Sequence, residues 1–401
     1  IKKEEKCFMK LNQIYSILND INEQHWGESG VAVTDLTGLI AMGNTVLSTD
    51  NNMDVFVSSL VDRIGKTVVR TLDLELDFPN LFMDSFEFGA ILQKITVKPF
   101  DALNNAAWDL ADENFSPTLL DVHVPEIMVR YFQDGVDTFK YQVTIPDYQI
   151  ESAFTSAEAM NNFINAIVSG LSDCMTMSIN NLSRTAIVNF IAEKIKAQNG
   201  VVNLLTAYTT AYPNDDTVTD YTSAMESPTF LRFAGRYIRN IIKYMSKPSV
   251  LYNVTEDVLR ATARDNMHVM MLTDFVSSYQ TNYQSDSFNE EMVQLPLYQE
   301  VEWWQGSGDS INEITDINAI NVIPSSDKKQ GAGGKAEPVE ATGIIGLICD
   351  RQAIGVGIQK MKAGSFYNPI DHYSNQSRSG TIQYFNDLTE NGVVFIVEPT
   401  E

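Results

Sequence analysis

The residues best equipped for chemistry in this chain are four histidines, three cysteines and a scatter of carboxylate pairs, and their spacing limits what they can do. His25, His123, His268 and His372 stand far apart, so no two imidazoles share a helical face as a local zinc motif requires. Cys7, Cys174 and Cys349 are odd in number and widely separated, which suits neither a disulfide framework nor a thiolate metal site and fits a reducing compartment. Cys174 falls on an apolar helical stripe, where a buried, unreactive thiol is expected rather than a nucleophile. The pairs Asp215-Asp216 and Glu290-Glu291 are sequence neighbours in polar stretches and read as solvated surface.

Phosphate and nucleotide motifs fail in detail. Gly65-Lys66-Thr67 matches the end of a phosphate loop, but the glycine needed five positions earlier is Leu60. Gly355-Val356-Gly357 lacks its third glycine, because position 360 is lysine, and reads as strand or turn glycine. No Gly-x-Ser-x-Gly elbow occurs. The expectation is a protein that is not an enzyme, with no catalytic residues, no cofactor and no metal.

Charge narrows the partners. With 28 basic and 52 acidic residues the formal net charge is -24, which works against a surface built to neutralise phosphates or anionic lipid. No run approaches the roughly 18 apolar residues of a membrane span. The opening Ile1-Lys2-Lys3-Glu4-Glu5 lacks the apolar stretch of a signal peptide, so an unexported protein without a membrane partner is expected.

The elements that must position any surface follow from periodicity. Phe8, Leu11, Ile14, Ile17, Leu18 and Ile21 carry helical spacing, and so do the apolar residues of 51–74; Gly27, Gly30, Gly38 and Gly43 lie between as punctuation. From residue 86 the period changes to two: Gln93, Ile95 and Val97 mark one strand, and Phe139, Tyr141, Val143 and Ile145 another. About forty residues between them, with Pro99, Pro117 and Pro125, form a long excursion. Thr155-Ser156-Ala157-Glu158 matches a capping box and opens a helix whose stripe runs through Phe163, Ile167, Leu171, Met175 and Ile179 to a stop at Asn199-Gly200. A break near Asn180 would make it two helices.

Residues 200–364 read as a mixed α+β domain. It holds a helix from Pro228 capped by Ser227, strands at 267–272 and 343–348, and a polar, glycine- and lysine-rich stretch at 306–342 that reads as a flexible exposed loop. Two closing strands, 381–385 and 393–397, flank Asn391-Gly392, a pair suited to a hairpin turn.

That order of elements resembles the Hong Kong 97 fold of tailed-bacteriophage major capsid proteins. The segment Ile348-Cys349-Asp350-Arg351-Gln352-Ala353-Ile354-Gly355-Val356 is similar to a late strand of those from small short-tailed phages of Gram-positive hosts. The resemblance covers about the last three quarters of the chain and rests on architecture, since the family has no short diagnostic motif. It implies an N-terminal arm or helical region at 1–85, an E-loop at 86–145 and a P-domain with spine helix at 146–199. A central A-domain at 200–364 and P-domain return strands at 365–401 complete it.

The implied function is self-assembly into hexamers and pentamers of an icosahedral shell. Such a shell encloses double-stranded DNA without sequence-specific contacts, works with scaffolding and portal proteins, and is assembled in the host cytoplasm to become part of the virion. An encapsulin-like nanocompartment shell is the alternative, and a hydrolase without a local motif a weaker one. A cross-link between an E-loop lysine and an asparagine, found in one branch, has no assignable pair here. For contacts between copies, Phe139, Tyr141 and Val143 on the returning strand, Trp108 in the excursion, and Trp303-Trp304 are the expected anchors, because aromatic residues contribute strongly where water is excluded. Burial in the chain's own core is the competing expectation for each.

Overall fold

The computed structural model describes residues 11–27, 32–48, 52, 55–56, 59–60, 77–82, 92–98, 126–132, 136–254, 258–284, 298–306, 314–325, 337–368 and 370–399. Helix α1 (Leu11–Trp26) turns Leu18 and Ile21 inward. Helix α2 (Leu36–Val46) starts at Asp35, whose carboxylate accepts the Gly38 N–H at 2.8 Å. Gly38 and Gly43, read from sequence as punctuation, lie inside this helix. Gly43 is there because a β-carbon would meet the Phe154 ring at 2.8 Å. The N-terminal helices share one core with Ile145, Ile150, Phe154 and Met160, so this region is a packed helical unit and not a bare arm.

Strand β1 (Leu92–Val97) pairs antiparallel with β2 (Ile127–Phe132), forming a separate two-stranded ribbon. The 86–145 reading missed β2. The strand expected to close the excursion, β3 (Val136–Pro146), pairs instead with a strand more than 200 residues later. After the short helix α3 (Asp147–Ala153) comes α4 (Ala157–Ala197), 41 residues without a break at Asn180 and about 60 Å long at 1.5 Å per residue. Its cap is Ser156, which accepts the Ala159 N–H at 3.1 Å, one residue later than the box read from sequence. It ends on Gln198 at φ 49°, followed by Gly200 at φ 71°, where a side chain would strike the Gly392 carbonyl.

Strand β4 (Val201–Asn203), α5 (Leu204–Ala211), α6 (Tyr221–Glu226), α7 (Pro228–Met245), β5 (Met267–Leu272) and α8 (Thr273–Tyr279) follow. The cap of α7 is Ser227 with Pro228 first, as its sequence dictates. Short strands β6 (Gln299–Val301), β7 (Gln305–Gly306), β8 (Ile314–Asp316), β9 (Ile320–Val322) and β10 (Val339–Ala341) then place regular pairing inside 306–342, which was expected to be loop throughout. Its glycine- and lysine-rich part, 326–336, lies outside the described residues.

Strands β11 (Ile344–Asp350), β12 (Ile354–Asn368), β13 (Tyr373–Asn386) and β14 (Gly392–Ile396) complete two sheets. One is three-stranded in the order β12-β13-β3; the other is five-stranded in the order β4-β14-β11-β5-β6. The expected boundary at 364/365 therefore falls within β12. Strands β13 and β14 lie in different sheets, so Asn391-Gly392 joins two layers rather than closing a hairpin.

Period-two alternation explains why the five-stranded sheet is buried on both faces. Met270, Leu272, Leu347, Cys349 and Val394 point to a core shared with Phe190, Ile187 and Ile191 of α4. Val269, Met271, Ile348, Val393 and Phe395 point the other way, onto α5, α7 and α8. Each such side chain removed from water contributes roughly 1.5–3 kcal/mol. The observed order is helical N-terminal region, excursion, long helix, mixed domain and returning strands, an α+β architecture of the Hong Kong 97 kind.

Candidate functional site

Among the described residues no group of three or more His, Cys, Asp and Glu side chains could hold a metal ion. Cys349 is buried and Cys174 half-buried; burial pushes the Cys349 thiol well up, with the nearby Asp350 carboxylate adding to it and Lys194 opposing. His268 is lowered by burial and by Arg351. His25 bonds Ser59, and His372 lies 3.6 Å from Asp147, so the described histidines serve separate places. Among the described residues no helix is long and apolar enough to cross a membrane.

What stands out is the ribbon. Its register puts Lys94 opposite Arg130 and Thr96 opposite Met128 on one face, and Ile95 opposite Val129 and Val97 opposite Ile127 on the other. Ile95, Val97, Ile127, Val129 and Tyr131 are each between 41% and 62% exposed, a contiguous apolar stripe facing water. Single exposed apolar residues are ordinary; a strip of five on one sheet face is less so.

The opposite face explains why this strip is not turned inward. Lys94 Nζ lies 2.8 Å from Asp387 and 2.5 Å from Glu390, in the buried turn between β13 and β14. Arg130 approaches Asp387 at 3.5 Å, and Arg260 meets Glu390 at 3.2 Å while donating to Thr96 Oγ1 at 3.3 Å. Burial alone would raise the Asp387 carboxyl; the Lys94 ammonium and the hydroxyl and N–H of Thr389 outweigh it and hold the group below its usual range. Phe132 packs on Phe385 at 5.2 Å between ring centres, and Gln383 donates to the Phe132 carbonyl at 3.3 Å. A two-stranded ribbon is marginal alone. Here charge and one aromatic contact fasten its polar face to the body and leave its apolar face outward.

The sequence-predicted anchors are not brought together. Trp108 lies outside the described residues. Trp304 is wholly buried, its Nε1 donating to the Ile344 carbonyl at 2.9 Å. Trp303 lies under the Arg184 guanidinium, 3.8 Å from its ring centre, and Arg184 also pairs with Asp77 at 3.0 Å. Phe139, Tyr141 and Val143 alternate as expected but face the chain's own cores, where Tyr141 bonds Ser178 of α4. A cluster of five exposed apolar side chains lies on β1 and β2 instead. Ile95 and Val97 were legible as a strand; their partners on β2 were not, because five of its six residues are apolar or aromatic and hide the alternation.

Comparison with known proteins bears on what this arrangement is. A chain in the solved structure of head fiber and inner core protein gp22 of native bacteriophage P68 aligns at TM-score 0.50 and 11% identity, covering 80% of this chain and 84% of that one. A chain of the capsid structure of Staphylococcus phage Andhra gives 0.49 at 11% identity over the same shares. At such identity the likeness concerns the fold alone. The major capsid protein of Bacillus phage GA-1 is 21% identical over 186 residues, 46% of this chain and 38% of that relative, so the match spans well under half of its length. A family model described as Phi29-like phage major capsid protein matches residues 14–396, from within α1 to the end of β14. With that match running through nearly every element described above, the chain belongs to the Phi29-like phage major capsid protein family.

Proposed function

We propose that this protein is the shell-forming subunit of a phage head, with many copies associating through the outward face of the ribbon. The observation that carries this reading is the pairing of an apolar strip with an anchored polar back. The ribbon is held in place by its own chain, and what it offers is surface for another. Ile95, Val97, Ile127, Val129 and Tyr131 are about half exposed, so burying the remainder against a neighbour supplies roughly 1 kcal/mol per side chain before the cost of association. The long helix and the doubly buried sheet supply a stiff body behind that contact.

In this reading copies form hexamers and pentamers in an icosahedral shell that is assembled in the host cytoplasm around double-stranded DNA, with scaffolding and portal proteins as partners. The chain acts as a building unit, not an enzyme. Its net charge of -24 disfavours sequence-reading contacts with the enclosed DNA. Negative-stain electron microscopy and sedimentation of the purified protein, alone and with a scaffolding protein, test this. Shells or capsomers are expected, and a folded protein that stays monomeric under all conditions overturns the reading.

A further inference from the structure

Helix α7 carries Arg232, Arg236 and Arg239 at spacings of four and three, all exposed on one face of an otherwise acidic chain. They border a cleft of about 520 Å³ whose other wall holds Tyr208 and Tyr212, with ring centres 5.0 Å apart. The one carboxylate in this cleft, Asp215, is already committed. Its Oδ2 takes the Tyr208 hydroxyl, and its Oδ1 takes the Thr217 N–H at 3.1 Å and the Thr217 hydroxyl at 2.5 Å. The Arg236 guanidinium carbon lies 5.5 Å from the Phe233 ring centre, a cation–π contact that helps to hold the group at the cleft. The cleft thus presents the exposed guanidinium groups of Arg232 and Arg236 beside tyrosine faces, and the one carboxylate in its lining is already bonded.

We propose that this cleft is a docking site for a carboxylate-rich segment of a second copy of the chain. The occupant follows from charge complementarity. Copies carrying -24 each repel one another, and an arginine row set against a neighbour's acidic surface turns that repulsion into a directed contact. Arginine and tyrosine are also the residue types that dominate the energetic centres of protein interfaces. Nucleic acid is disfavoured because the field around the rest of the chain is negative. The inference rests on the shell reading and adds a second, electrostatic contact to the apolar one.

The test is assembly of wild type beside the double variant Arg232→Glu, Arg236→Glu and the milder Arg232→Gln, Arg236→Gln, followed by light scattering across a salt series, with circular dichroism to confirm folding. The inference expects charge reversal to slow assembly by about tenfold or more at low salt, the neutral pair to fall between, and the gap between wild type and variants to close as salt rises. If charge reversal does not fold, the neutral pair compared with wild type across the salt series decides. Variants that assemble at the wild-type rate overturn this inference alone. Variants that assemble normally but retain less DNA overturn it in favour of a nucleic-acid contact. Wild type that never self-associates overturns it together with the shell reading.

Discussion

Lys194 shows how a single buried charge is tied to the fold. It is fully buried on α4, donates to the Tyr252 carbonyl at 2.7 Å and lies 5.6 Å from the Phe190 ring centre. Burial lowers its pKa to about 7, against the opposing pull of Cys349 and Asp387. The unfolded lysine keeps its proton to about 10.5 while the native one releases it above about 7, so between these values the unfolded state binds more protons and stability rises with pH. Below about 7 both states are protonated and this dependence vanishes. Above about 9 the thiol of Cys349, which ionises only when unfolded, begins to oppose the trend. Lys194→Met is expected to flatten the rise between pH 7 and 9, read as denaturant midpoints against pH; equal slopes in both proteins would rule out the assignment. Nothing in the sequence marks this residue, since Lys194 reads as one more polar position in the last turns of a helix.

At the scale of elements, local signals were readable and non-local ones were not. The long helix, the Pro228 helix with its serine cap and strands β5 and β11 follow from periodicity and capping, which a few adjacent residues determine. Pairing of β3 with β13 depends on residues more than 200 positions apart, and nothing near Phe139 announces it. Asn391-Gly392 has hairpin chemistry, yet Val393 and Phe395 need the second core while Val394 needs the first, so the chain crosses to the five-stranded sheet. Glycines misled in the same way: Gly43 is a contact point for Phe154 and not a break. Gly43→Val is therefore expected to destabilise the N-terminal unit by about 1–3 kcal/mol through overpacking, despite valine's better helix propensity. Thermal or denaturant unfolding measures this, and an unchanged or raised midpoint would show that the contact yields.

For the whole molecule, the resemblance in element order carried the reading from fold to family, while the surface that matters was only half visible. Of the aromatic residues chosen from sequence as contacts, Trp304, Phe139 and Tyr141 pack against the chain's own cores. That outcome has a physical reason, because a long helix on a three-stranded sheet needs Phe139 and Tyr141 to fill the space between them. Five of the exposed apolar residues sit together on the ribbon, which is held by Lys94 and Arg130 with this strip turned outward. The central claim is that this strip is buried by a neighbouring copy. Substituting Ile95→Asp together with Val129→Asp, neither of which belongs to the described cores, and following particle formation by electron microscopy tests it most directly. A folded protein that no longer forms shells is the predicted result, and shells as abundant as those of the unmodified protein would contradict the account.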